Sequence, residues 1–189
     1  MPRTSSLICL LWLLLPSFSS AQKDRPSASQ SVDWKALTPK IQQALGEAYD
    51  KCYAEQRWIE VVQTGDVNGD GVPEALVQFC HMGAYTSEAA LLQLENGKAV
   101  LSKFHDQNQR PTFPTFLQGA SVRNGEDVKL APEQHAVYAI HWHTGDEGAL
   151  ESCAVEAYVW SAKASTLDYD AGASKEIEKR ECRRLAEQL

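Results

Sequence analysis

The sequence predicts an α+β domain in which an antiparallel sheet of five or more strands packs with an N-terminal and a C-terminal helix. Three observations predict it. A helical apolar stripe begins after Thr38-Pro39, and short alternating segments separated by turn residues fill the chain from Trp58 onward. A second, charged helical segment follows Gly172.

The residues ahead of this domain read as a targeting segment. Arg3 is followed by an apolar run from Leu7 to Leu15 and then by Ser19-Ser20-Ala21, the pattern of a secretory signal peptide over residues 1–21. Its apolar run is too short to cross a bilayer, which takes about 20 such residues, and no later run is longer. The expected mature protein therefore starts at Gln22, is secreted or periplasmic, and keeps no membrane attachment after cleavage. Residues 22–32, QKDRPSASQSV, are polar and aperiodic and read as a flexible leader to one domain over residues 33–189.

Thr38 is a natural N-cap with Pro39 at the first helical position, where its missing N–H costs nothing. Ile41, Leu45, Ala48 and Cys52 then recur at helical spacing, so one face is apolar and carries a cysteine; the helix is expected to end near Glu55. RWIEVVQ and PEALVQFC read as strands on either side of an acidic loop. EAALLQLENGKAVLSKF reads as a hairpin, because Asn96-Gly97 suits a two-residue type I′ turn that sets Glu95 opposite Lys98. HDQNQRPTFPTFLQ has two prolines and no period, which predicts a loop anchored by Phe113 and Phe116, and Asn124-Gly125 predicts a second tight turn.

HAVYAIHWH reads as a strand with Tyr138, Ile140 and Trp142 toward the core and Val137, Ala139, His141 and His143 on the other face. LESCAVEAYVWSA returns with Cys153, Val155, Ala157 and Val159 on a common face, and STLDYDA adds a short strand. The last helix, with Ser174 as N-cap, has a thin stripe of Ile177, Cys182, Leu185 and Leu189.

Charge and cysteines narrow the function. With a formal net charge of −7 and no uninterrupted basic cluster, the chain is a poor partner for nucleic acid or an anionic membrane. The run Lys179-Arg180 and Arg183-Arg184 is broken by Glu181 and Cys182 and reads as a solvated helix face. Cys52, Cys80, Cys153 and Cys182 survive signal cleavage, an even number in an oxidising compartment, so two disulfides are expected rather than a thiol catalyst. Three pairings are open. Joining each helix cysteine to the strand cysteine nearest it in sequence favours Cys52–Cys80 and Cys153–Cys182, each loop worth about 3 to 4 kcal/mol in the chain-entropy model.

The stretch TGDVNGDGVPEALVQF carries the strongest chemical signal. Asp66, Asn68 and Asp70 alternate, Gly71 follows, and Glu74 completes the set, with the Val72 carbonyl as a further oxygen. Calcium takes six to eight hard oxygen ligands in flexible geometry, and these five groups with one or two waters would complete its shell. No nitrogen or sulfur ligand lies in the loop, which disfavours zinc. The bidentate acid that a helical EF-hand needs at its twelfth position is replaced by Val77, and Pro73 pushes Val72 into extended backbone ahead of a strand. The stretch resembles the strand-flanked calcium loops of the FG-GAP or VCBS repeats, the integrin-alpha type. Asp66, Asn68, Asp70 and Glu74 match the positions that hold calcium there. The motif occurs once, so the propeller of that family is not implied; similar single copies occur in small exported bacterial proteins, which this chain resembles. A metal-free turn rich in Asp, Asn and Gly is the competing reading.

His141 and His143 project from one strand face and could begin a zinc site, with Asp146 or Glu147 as a third ligand and an open position for water. The alternative is two surface histidines. No Gly-x-Ser-x-Gly elbow and no phosphate-cradling glycine loop occurs, so no residue is singled out as catalytic. The expected function is a calcium- and disulfide-stabilised binding module that contacts a protein or polysaccharide of the cell envelope. The competing expectation is a zinc-assisted hydrolase centred on His141 and His143.

Overall fold

The computed structural model describes residues 31–81, 86–112, 115–120 and 124–189, excepting the side chains of His81 and Ala120. The predicted signal peptide, nearly all of the leader and Phe113 lie outside the described residues.

The architecture is α+β and mostly sheet. A turn at Lys35–Leu37 leads into α1 (Thr38–Leu45) and α2 (Glu47–Asp50). The strands are β1 (Ile59–Gly65), β2 (Glu74–His81), β3 (Thr86–Glu95), β4 (Lys98–Leu101), β5 (Phe104–His105), β6 (Pro111–Thr112), β7 (Phe116–Ala120), β8 (Asn124–Ala131), β9 (Ala136–Thr144), β10 (Leu150–Ser161) and β11 (Thr166–Tyr169), and α3 (Ala171–Gln188) ends the chain. They form one mixed 11-stranded sheet in the order β1-β2-β3-β7-β8-β9-β10-β11-β5-β6, with β4 beside β3. The pairing of β5 with β11 is parallel and the other pairs are antiparallel.

The sheet curls on itself. On β2, Leu76 joins an inner core with Ala89, Leu91, Phe104, Phe116, Val137, Ala139, Tyr158 and Leu167, whereas its neighbours Ala75 and Val77 face the other way, onto Trp34, Ile41 and Leu45. On β9, Val137 and Ala139 enter the same inner core while Tyr138 and Ile140 face Ile177 of α3. Strand alternation therefore buries both faces: one half of the sheet carries α1 outside, the other carries α3, and the inner faces meet. Edge-to-face contacts among Phe104, Phe116 and Tyr158 fill the centre at 5.2 to 6.1 Å between rings.

Each outer helical layer is tied to its sheet by a disulfide, Cys52–Cys80 on one side and Cys153–Cys182 on the other. The favoured pairing holds, and Cys80 is thereby no nucleophile. At the open margin between β1 and β8, the side-chain amide of Gln63 donates to the Leu130 carbonyl (3.1 Å) and accepts from the Leu130 N–H (2.9 Å). The register of β1 with β2 shifts at this point, between Val61 and Gln63.

Several local expectations are corrected. Thr38 does not cap α1: its hydroxyl donates to Lys35 O, and Gly46 at φ 49° breaks the helix before Glu55. The 105–118 segment contains strands as well as loop, and Phe116 is 8% exposed because it fills the inner core. Asn124-Gly125 opens β8 instead of turning the chain. Gly125 is there because a Cβ would lie 1.9 Å from the Trp142 ring, so the residue serves close packing. α3 is capped by Asp170, which accepts from the Ala173 N–H at 2.8 Å, and Ser174 is buried, its hydroxyl bridging Asp170 O and the Ala157 N–H. Leu189 falls off the apolar stripe at 60% exposed. The basic run of α3 is also not simply solvated, since Arg180 and Arg184 both pair with the buried Glu181.

Candidate functional site

The acidic loop joins β1 to β2 and is built by its own side chains. Asp66 accepts from the N–H groups of Gly69 (2.7 Å) and Gly71 (2.9 Å), Asn68 Oδ1 from that of Asp70 (2.8 Å), and Asp70 from that of Val72 (2.7 Å). Such bonds stabilise tight turns, and Gly69 and Gly71 take the left-handed backbone that the path requires, at φ 76° and 87°. The exit is a strand, as Pro73 and the β-rich sequence after it dictate.

Glu74 differs from the two aspartates. It is 3% exposed, and its Oε2 accepts from the N–H groups of Val67 (2.7 Å) and Asn68 (3.3 Å). Burial pushes its carboxyl up to about 7, against the two backbone hydrogen bonds, and the charges of Asp70 and Asp66 push the same way. Among the described residues, no Lys, Arg or His forms an ion pair with Asp66, Asp70 or Glu74. The side chains are all oxygen donors, the type that hard cations take. The carboxylates themselves are turned onto loop N–H groups: among the described residues no three His, Cys, Asp or Glu side chains gather into one metal-holding group.

The loop also touches the far half of the sheet. Val67 is buried in the inner core, and its carbonyl lies 3.0 Å from His135 Nδ1 in the turn between β8 and β9. Nothing in the sequence spacing signals that contact.

His141 and His143 lie on the inner face of β9, beyond the point where Val137 and Ala139 close the core. They line an open groove of about 330 Å³ with Asn124, Glu126, Ser152 and Ala154. The structure gives each imidazole a carboxylate from a neighbouring strand: His141 Nδ1 is 3.2 Å from Glu126 on β8, and His143 Nε2 is 3.4 Å from Glu151 on β10. His143 Nδ1 also meets Asn124 Oδ1 at 2.6 Å. The register sets Glu126 and Ala154 beside His141 and Asn124 and Ser152 beside His143, while Glu151 reaches His143 from the register shift between Leu150 and Ser152.

Two further polar clusters escape sequence reasoning because their members are far apart in the chain. His105 Nδ1 and the Thr166 hydroxyl both meet Asp168 Oδ1 at 2.7 Å, joining β5 to β11. Beneath α3, Glu181 is 6% exposed and takes Arg180 at 3.1 Å, Arg184 at 2.9 Å and Lys129 at 3.8 Å, with the Tyr138 hydroxyl donating at 3.3 Å. Burial raises the Glu181 carboxyl, but the Arg180 hydrogen bond and the charges of Arg184 and Lys129 outweigh it and hold the group below the usual range.

Compared with protein-family models, curated proteins and solved structures, the chain matches none. The likeness to integrin-type calcium loops therefore rests on Asp66, Asn68, Asp70 and Glu74 themselves.

Proposed function

We propose that the chain is an exported domain, held by one calcium ion and two disulfides, that serves as a non-enzymatic binding module for a protein or polysaccharide of the cell envelope. The observation that carries the calcium reading is Glu74, a buried carboxylate beside Asp66 and Asp70 with no cation paired to any of the three among the described residues. Buried charge is costly unless it is paired or metal-bound. Asp66, Asn68, Asp70, Glu74 and the Val72 carbonyl would hold the ion, and its contribution would be charge compensation and loop closure. The left-handed turns at Gly69 and Gly71 are already in place, so engaging the ion asks for side-chain rotation more than for refolding.

Two disulfides in a chain of this size suit an oxidising compartment and support export. All four cysteines of the domain are consumed by them, which removes the commonest strong nucleophile and favours binding over covalent catalysis. The groove at His141 and His143 suits recognition: its imidazoles, amide and carboxylates are fixed by mutual contacts and present donors and acceptors to hydroxyl- or amide-rich ligands.

Metal analysis of the purified protein with calorimetric titration tests the reading. One calcium per chain is expected, lost on Asp70→Ala and unaffected by His143→Ala. Absence of heat at millimolar calcium overturns it. Stoichiometric zinc that disappears on His143→Ala would instead establish the competing metal-assisted hydrolase.

A further inference from the structure

The acidic loop is seated against the turn between β8 and β9. At its entry, Gly65 lies so close to that turn that a Cβ would fall 2.3 Å from Pro132 Cγ. His135 continues the seat: a Cβ on Gly69 would fall 3.2 Å from its Cε1, and its Nδ1 lies 3.0 Å from Val67 O. A carbonyl oxygen only accepts, so Nδ1 carries the proton and donates. His135 is itself fixed, at φ 50° and ψ 44°, with its N–H donating to Pro132 O (3.1 Å) and its carbonyl accepting from the Trp160 N–H of β10 (2.8 Å).

These contacts converge on a single peptide group. The unit between Val67 and Asn68 receives the His135 imidazole on its carbonyl and offers its N–H to Glu74 Oε2 at 3.3 Å, while the preceding N–H of Val67 meets the same oxygen at 2.7 Å. A donor on the carbonyl polarises the N–H on the other side of the same peptide and fixes its plane. Gly69, two residues on and already at φ 76°, offers little resistance if that plane turns.

We propose that His135 is a positioning residue for the calcium loop: its hydrogen bond to Val67 fixes the Val67–Asn68 peptide, so that the loop backbone is preorganised and only the carboxylate side chains must turn to take the ion. The inference rests on the calcium reading. The imidazole does not touch the ion; it removes an ordering cost that binding would otherwise meet, as preorganisation does generally.

Calorimetry with calcium alone on the full mature chain tests this, with His135→Gly and His135→Asn beside the wild type. Glycine keeps the left-handed backbone without the ring, and asparagine tolerates that backbone while placing an amide nitrogen at the same number of bonds as Nδ1. Calcium affinity is expected to fall about tenfold in His135→Gly, the equivalent of one hydrogen bond, and to recover in part in His135→Asn. Melting curves in chelator and in calcium supply a second readout, in which the calcium-induced rise shrinks for His135→Gly. If the wild type binds no calcium, the calcium reading falls and takes this inference with it. If the wild type binds and His135→Gly binds equally well, or loses the same stability with and without calcium, the positioning role is overturned and the calcium reading stands.

Discussion

Glu74 and Glu181 are two buried carboxylates, 3% and 6% exposed, that the fold treats in opposite ways. Glu181 faces Arg180, Arg184 and Lys129, which hold its carboxyl below the ordinary range; among the described residues Glu74 meets only backbone N–H groups, and its carboxyl is pushed up to about 7. The difference separates a carboxylate compensated by cationic side chains from one held by backbone N–H groups. Glu181 pins α3 to the sheet beside the Cys153–Cys182 bridge, whereas Glu74 sits in a loop whose other acids, Asp66 and Asp70, add to its repulsion.

The largest break in this symmetry is expected at Glu181. Its replacement by Ala takes the carboxylate from Arg180 and Arg184, leaves Lys129 with Asp127 alone at 2.9 Å, and takes the acceptor from the Tyr138 hydroxyl. Urea denaturation of Glu181→Ala should show a loss of about 3 kcal/mol, the low end for breaking a buried pair because the arginines are half in water. Loss below about 0.5 kcal/mol would mean that the network is ornament on a helix held by its disulfide. Calcium should produce an effect nearly as large at the other site: at one hundred times its dissociation constant it should raise stability by about 2.7 kcal/mol. Glu181→Ala should leave that increment intact, because among the described residues the two carboxylates share no partner.

Glu74→Gln sharpens the contrast from the other side. At pH 8 in chelator the variant should be more stable than the wild type by about 2 to 3 kcal/mol, since the neutral amide avoids the burial cost that a carboxyl raised from 4.5 to about 7 represents. It should also lose the calcium increment. A Glu74→Gln protein that is destabilised in chelator would show that the two backbone N–H groups already compensate the charge.

These two acids also mark how far the sequence could be read. The loop was legible because its donors lie within nine residues and local turn chemistry places them, from Asp66 to the left-handed glycines. The disulfide pairing was legible for a similar reason, since each helical-layer cysteine joins the strand cysteine nearest it in sequence, at separations of 28 and 29 residues. Glu181 was hidden inside a charged run, because the partners that bury it, Lys129 and Tyr138, arrive from strands across the sheet. His141 and His143 share a face of β9 with Val137 and Ala139, and there they stay about two-fifths exposed at an open groove, at 42% and 41%, while Val137 and Ala139 close the inner core. Curling of the sheet is a property of eleven strands together, and strand periodicity alone reports alternation, not which of the two faces is covered. Gly125 was misread for a related reason: a glycine kept for the approach of Trp142 looks, in sequence, like one kept for a turn.

The smallest expected effect is on pH dependence, and it separates the Glu181 network from general acid denaturation. Because the native carboxyl is held below its ordinary value, its contribution is fully present above the ordinary carboxylate range and is lost as the pH falls through the depressed native value. Glu181→Gln should therefore differ most from the wild type at neutral pH and converge toward it in acid, by a total below about 1 kcal/mol because Arg180 and Arg184 are screened by solvent. Denaturation midpoints of both proteins in chelator between pH 7 and pH 3 give the comparison directly. Parallel acid limbs would mean that Glu181 gains nothing from its ionised form in the fold, and that its arginines are held by packing of their stems rather than by charge.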